Sequence, residues 1–273
     1  YSPSRGFTYR NDFRFGYTFN PRMSLFAQLK AAYYFGEKRV TFYAPLILTF
    51  NQQRNFYSRI ELSTGNRIYS STIAERLSES LLHRLIDVGN DLYQFTDNYL
   101  RFETNIDLSP KWGLKTGFVF HKRKPLDLIP FELLDFPKEY RSFAPNIEVS
   151  IRPWGWSGPI FTIDYERSLK HVFKSNIGYE RWEIDGQYLY RLSRLRCLSM
   201  RLGTGFYTQK DQSSYFLDYA NFRENTIPGG WNDGWSGEFE LLDASWYNAS
   251  NYYVRTNFTY ETPLLVASWL PYV

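Results

Sequence analysis

A single cysteine, Cys197, leaves no partner for an intramolecular disulfide and no basis for a multi-cysteine metal site. Histidine is nearly as scarce. His83, His121 and His171 stand apart from one another, with no His-Glu-x-x-His pair and no Cys/His spacing that would hold zinc. The Gly-x-Ser-x-Gly elbow of many serine hydrolases is missing, and no cofactor motif is present. No apolar run is long enough for a membrane helix. Basic blocks are absent too: 32 Lys and Arg are scattered among 28 Asp and Glu, so the net charge of +4 marks no nucleic-acid surface.

What the chain has in excess is aromatic residues, 23 Phe, 23 Tyr and 8 Trp in 273 residues, yet its mean hydropathy is −0.46. That combination arises when each strand puts one face in lipid and the other in water, because the average conceals two populations. The order of residues agrees. Phe7, Tyr9, Phe13, Phe15, Tyr17 and Phe19 share one parity, with Thr8, Arg10, Asp12, Arg14 and Thr18 between them. Successive side chains of a strand point to opposite faces, so this segment is apolar on one side and charged on the other.

The rhythm recurs about a dozen times. A first strand over Gly6 to Phe19 turns at Asn20-Pro21-Arg22, and a second carries Met23, Leu25, Ala27, Leu29, Ala31, Tyr33 and Phe35 on its apolar parity. The third alternates Val40, Phe42, Ala44, Leu46, Leu48 and Phe50 with polar residues, and Pro45 within it predicts an edge or a bulge. A fourth begins near Phe56, after which alternation is lost until Asn98. In that gap Thr72 and Glu75 form a capping box, and Ile73, Leu77, Leu81, Leu82, Leu85 and Ile86 fall at helical spacing. They predict a helix in a long loop, stopping at Gly89 and serving as an amphipathic cover on the barrel mouth in preference to a partner-binding helix. Strands five to ten follow, the sixth giving way at His121 to a Pro- and Lys-rich excursion reaching Tyr140. A long loop from Tyr207 to Trp235 then leads to an eleventh strand at Phe239 and Leu241 and a twelfth over Tyr252, Val254, Phe258 and Tyr260.

Long links follow strands four, six and ten, and outer-membrane barrels place their longer loops outside, so even-numbered strands are expected to run outward. Both Tyr1 and Val273 then fall at the outer face, with strands missing at each end. Residues 1–273 are thus expected to be a partial barrel. Trp112, Trp154, Trp156 and Tyr190 near the short turns suit an interfacial aromatic girdle. Arg10, Asp12, Arg14, Lys30, Arg101, Glu103, Asp107, Lys115, Glu148, Arg152, Asp164, Glu166, Arg181, Glu183, Asp185 and Arg201 point inward with mixed signs, so they can pair with one another instead of forming a one-sign constriction. The histidines read as surface or girdle residues at the outer side, and hydrolysis would require His121 or His171 to approach a carboxylate or serine. The segment Asp218, Tyr219, Asn221, Phe222, Arg223, Gly229, Gly230 and Trp231 belongs to a glycine- and aromatic-rich loop that either enters the lumen or remains an ordinary outer loop.

Several stretches resemble a known family. Gly65-Asn66-Arg67-Ile68-Tyr69-Ser70, Tyr140-Arg141-Ser142-Phe143-Ala144-Pro145, Phe216-Leu217-Asp218-Tyr219-Ala220-Asn221-Phe222, Phe239-Glu240-Leu241-Leu242 and Trp246-Tyr247-Asn248-Ala249-Ser250-Asn251-Tyr252-Tyr253 are similar to large, mostly uncharacterised Gram-negative outer-membrane barrels preceded by a carboxypeptidase-regulatory-like domain. That barrel in turn resembles the BamA-like outer-membrane assembly-factor superfamily, with sixteen strands and a lumen-reaching loop after the eleventh. The resemblance implies that Arg223 is the loop arginine and that Glu238, Glu240 or Glu261 is its acidic partner. Glu224 follows Arg223 where that superfamily has glycine. It also implies that one strand is missing before Tyr1 and three after Val273.

The expected fold is therefore all-β: a transmembrane antiparallel barrel with about twelve of sixteen strands present. The expected function is non-catalytic, in envelope biogenesis or an outer-membrane complex and resembling assembly or insertion. A transport or channel barrel is the alternative and an outer-membrane hydrolase the third reading. Expected partners are outer-membrane lipid, lipopolysaccharide and other outer-membrane proteins or lipoproteins, with no nucleic acid and no cofactor. The expected location is the bacterial outer membrane.

Overall fold

A computed structural model describes residues 7–35, 38–68, 94–125, 128, 132, 138–193, 196–211 and 252–261. These residues form one antiparallel sheet of eleven strands in sequence order, each bonded to the next. The strands are β1 (Thr8–Asn20), β2 (Met23–Tyr34), β3 (Arg39–Asn51), β4 (Phe56–Ile68), β5 (Gln94–Ser109), β6 (Trp112–Pro125), β7 (Tyr140–Ile151), β8 (Ile160–Ser168), β9 (Tyr179–Arg191), β10 (Cys197–Lys210) and β11 (Tyr252–Glu261). Among the described residues β1 and β11 are its two edges. The sheet is not closed between them. No helix among these residues is long and apolar enough to cross a membrane, which does not bear on strands.

The turns follow from side chains that can accept local N–H groups. Asn20 Oδ1 accepts from the backbone of both Arg22 and Met23 at 2.9 Å, and Ser109 Oγ accepts from Lys111 and Trp112 at 3.2 Å. Asn51 Oδ1 accepts from Gln53 at 3.0 Å and starts the 3₁₀ turn Gln52–Arg54 that leads into β4. These turns all lie at one end of the sheet, together with the β7–β8 and β9–β10 links. The longer links after β4, β6 and β10 lie at the other end.

Three strand expectations change. β4 extends to Ile68, β5 starts at Gln94 and β6 runs on to Pro125, so pairing continues beyond the points where sequence alternation fades. β10 bonds β9 on one side and β11 on the other, and the strand expected at Phe239 and Leu241 lies outside the described residues. The expected twelfth strand is β11, and it runs back toward the short turns, because Cys197 pairs with Glu261. The helix expected from Thr72 to Gly89 lies outside the described residues.

Pro45 lies in an interior strand, not at an edge. The β2–β3 ladder passes from Ala27↔Leu46 to Lys30↔Tyr43 and is interrupted opposite Ala44 and Pro45, while Pro45 still pairs with Glu61 in β4. Proline has no N–H to offer, and the gap falls on the side toward β2.

Burial is inverted relative to a water-soluble sandwich. Val119, Tyr140, Ala144, Ile177 and Tyr179 are the only buried hydrophobic residues among those described, whereas buried charged residues are many, including Glu61, Asp97, Arg123, Glu166, Arg181 and Arg201. Phe13, Phe15, Tyr17, Leu202, Val254 and Phe258 are exposed. Gly117 marks a close strand approach: a Cβ there would stand 2.0 Å from the Phe102 carbonyl oxygen and 2.8 Å from Glu103 Cα. Gly117→Ala is expected to destabilise the β5–β6 pair by about 1–3 kcal/mol, read as a lower urea midpoint of the folded protein. An unchanged midpoint would show that the strands separate freely there.

Candidate functional site

The inner face is assembled by strand register. On β5, β6 and β7 it carries Arg101 and Glu103, Lys115 and Val119, and Ala144 and Glu148, the alternate residues of each strand. Opposite charges then meet across strands. Lys115 Nζ pairs with Glu148, and Arg152 Nη2 donates to Asp107 Oδ1 at 2.9 Å. Arg59 pairs with Glu61 and lies 3.7 Å from Glu103. Glu61 also accepts from the Tyr43 and Tyr99 hydroxyls. Around Glu166, the Tyr179 hydroxyl donates at 2.7 Å and Arg181 Nη2 at 3.1 Å, while Arg181 Nε lies 3.4 Å from Glu183. Arg201 Nε stands 3.5 Å from Asp185.

The mixed-sign inner face thus pairs largely with itself. An exception lies in the row Lys115–Glu148–Asp164–Glu183, where three carboxylates adjoin one ammonium and Asp164 is buried with neither carboxylate oxygen hydrogen-bonded. Among the described residues no cluster of His, Cys, Asp and Glu has a geometry that could hold a metal ion. Arg10, Asp12, Arg14 and Lys30 share the inner parity but remain exposed. Arg10, Asp12 and Lys30 border a cavity of about 390 Å³ over β1–β4, lined also by Tyr34, Tyr43 and Ser63.

His121 differs most from expectation. It is 3 % exposed, not a surface or girdle residue, and its Nδ1 lies 3.0 Å from Asp97 Oδ1. Arg123 Nη2 stands 3.3 Å from the other Asp97 oxygen, and the Tyr99 ring stacks on the imidazole at 5.6 Å. Ser142 faces His121 in register, so a histidine does meet a carboxylate beside a serine. Yet His121 Nε2 has no hydrogen-bond partner, Ser142 Oγ makes none to the imidazole, and Ser142 is wholly enclosed. A nucleophile needs a base within hydrogen-bond reach and a path for substrate. His171 is exposed in the β8–β9 link, and His83 lies outside the described residues.

The outer face carries aromatic pairs from strand to strand. Phe102 and Phe118 rings lie 5.6 Å apart, Phe118 and Phe143 5.5 Å, and Tyr165 and Trp182 4.6 Å. Trp112, Trp154, Trp156 and Tyr190 are exposed at the short-turn end, where the Arg152 guanidinium lies 3.8 Å from the Trp156 ring centroid.

Of the loop proposed to enter the lumen, Asp218, Tyr219, Asn221, Phe222, Arg223, Gly229, Gly230 and Trp231 lie outside the described residues, as do Glu238 and Glu240. Glu261 is described. It ends β11 at the short-turn end and accepts a hydrogen bond from Cys197 Sγ at 3.2 Å, giving the cysteine a polar neighbour on the inner face. Sequence reasoning missed Arg59, Glu61, Asp97 and Arg123 as members of the inner network. Their parity within longer strands was the available signal.

An open antiparallel meander with charged residues buried on one face and aromatic residues exposed on the other defines the class of this protein. The chain belongs to the family described as "Family of unknown function (DUF5686) C-terminal domain", matched over residues 1–153 and 153–273. No curated protein and no solved structure matches it.

Proposed function

We propose that this chain is the membrane-spanning part of a non-catalytic β-barrel of the bacterial outer membrane, acting in envelope biogenesis or within an outer-membrane protein complex. Inverted burial carries this reading: water-filled or self-paired interiors and lipid-facing aromatic surfaces require this distribution, whereas a soluble sheet requires its opposite. The consecutive up-and-down order and the segregation of long links to one end support it further. Among the described residues β1 and β11 are edge strands, which suits either closure by further strands or the templating of a client strand, since an edge offers unpaired N–H and C=O groups. The BamA-like resemblance is the reason for preferring assembly-type work, with outer-membrane proteins or lipoproteins as partners.

Self-pairing of Arg59, Glu61, Glu103, Lys115, Glu148, Glu166 and Arg181 favours an obstructed lumen over a channel, because a conducting constriction concentrates one sign of charge. Planar-bilayer recording separates the two. The expected result is no large steady conductance from the full-length protein. A stable open pore would replace the assembly reading with transport.

A further inference from the structure

On the assumption that the outer face meets lipid, we propose that the long-link end of β6–β8 is a docking site for a phosphate-bearing glycolipid of the lipid A class. The strands place cations directly above an aromatic surface. Phe120 pairs with Phe143, and the next outward pair along the same two strands is Lys122 with Arg141. Two residues of strand rise about 7 Å, the distance over which an acyl region gives way to headgroup phosphates. Lys124 continues the row on β6, and Arg167 stands on β8, both exposed.

The β8–β9 link completes the surface. His171, Phe173 and Lys174 hold positive φ values of 70°, 48° and 62°, a conformation that non-glycine residues adopt at a cost when surrounding contacts impose it. The Asn176 side chain ties the link to β7: its Oδ1 accepts from Arg141 N at 2.8 Å and its Nδ2 donates to Glu139 O at 2.8 Å. In this arrangement Phe173 meets Phe143 edge-on at 4.9 Å while remaining 69 % exposed, and Lys174 is exposed beside it. Apolar rings beneath and ammonium and guanidinium groups above match acyl chains and phosphates in that order.

The charge is local and unbalanced. Among the described residues, Lys122, Lys124, Arg141, Arg167 and Lys174 are opposed on the outer face of these strands by Glu139 and Glu180. Glu139 is shared by Lys124 at 2.8 Å, Lys122 at 4.0 Å and Arg141. Slight burial works to raise the Glu139 carboxyl. The hydrogen bonds from Lys124 and Arg141, with the charges of Arg141 and Lys122, nevertheless hold it below the ordinary carboxylate range, so it stays ionised at neutral pH. The corresponding end of β1–β3 presents Phe7, Tyr9, Phe35 and Val40 on the outer face, without such a cluster.

The test is equilibrium binding of the full-length protein, in detergent micelles, to bisphosphorylated lipid A and to the same lipid stripped of phosphate. Lys122→Gln with Arg141→Gln should weaken binding of the phosphorylated lipid by about tenfold or more and leave the dephosphorylated lipid unaffected. Arg22→Gln with Lys111→Gln, at the opposite end, should change neither. Glu139→Gln should tighten phosphorylated-lipid binding, an outcome that mere loss of structure could not produce. Equal binding of both lipids by the unaltered protein, or no effect of the Lys122 and Arg141 changes in a folded variant, would overturn the site. Full competition by millimolar inorganic phosphate would also overturn it by showing a simple anion site. The lipid-facing reading is checked separately by carbonate extraction of cell membranes, in which release of the protein would count against membrane insertion regardless of lipid preference.

Discussion

Phe15→Arg, and separately Leu48→Arg, should each strip the protein from the membrane fraction, with loss of the folded form that resists unheated detergent electrophoresis. Phe15 sits mid-strand on the outer face of β1, 56 % exposed, between Phe13 and Tyr17 on the same parity, and Leu48 shares that face on β3. Arginine facing hydrocarbon near mid-bilayer costs roughly 2–4 kcal/mol, whereas an exposed aromatic-to-arginine change in water stays within about 0.5 kcal/mol. The two environments therefore predict different outcomes from one substitution. Arg14→Gln, on the opposite face of β1, should insert normally. Normal insertion of both arginine variants would show that the exposed aromatic face does not meet lipid.

Glu166→Ala is the second large effect, with an expected loss of about 3–5 kcal/mol in unfolding free energy because it leaves a buried guanidinium short of its partner. Arg181 is 1 % exposed and Glu166 fully buried, and the Tyr179 hydroxyl also depends on that carboxylate. Combining Glu166→Ala with Arg181→Met should cost less than the sum of the two single changes, since the pair then leaves no uncompensated cation. Additive losses in urea unfolding would mean that the two residues do not act as a pair. Glu183 distinguishes this cluster from an isolated ion pair: with Glu166 gone it still lies 3.4 Å from Arg181 and retains part of the attraction.

The alternation of Leu100, Phe102, Ile106 and Leu108 with Arg101, Glu103 and Asp107 made β5 legible in the sequence, and β1, β7 and β9 were legible for the same reason. Each has one apolar and one charged parity, and in β5, β7 and β9 the faces they assign agree with observed pairing and burial, while in β1 both faces are exposed. Legibility failed at the ends of β4, β5 and β6. There Thr64, Asn98, Lys122 and Lys124 occupy the outer parity, so both faces are polar and alternation loses its contrast. Lys122, Lys124 and the Asp97–His121–Arg123 group lie in those same extensions, where alternation did not assign their faces.

Pairing across strands was hidden for another reason. His121 meets Asp97, 24 residues away, because of the β5–β6 register, and hydrophobic periodicity assigns faces without fixing which residues stand opposite. The reversed direction of β11 has a related cause. β11 follows β10 directly in the sheet, one place earlier than counting alternating segments along the chain put it, and its own outer row is clear.

The interruption opposite Pro45 divides the hydrogen-bonded fabric unequally. On one side is the β1–β2 hairpin, whose inner charges Arg10, Asp12, Arg14 and Lys30 remain exposed; on the other are nine strands stitched by buried ion pairs. Opening a sheet costs least where backbone bonds are already absent and few buried contacts must break. The β2–β3 ladder, paired on both sides of Gln28 and Leu29, is therefore weakest at those two positions. Peeling would begin there, exposing the edge of β3 while the larger body of the sheet stays folded.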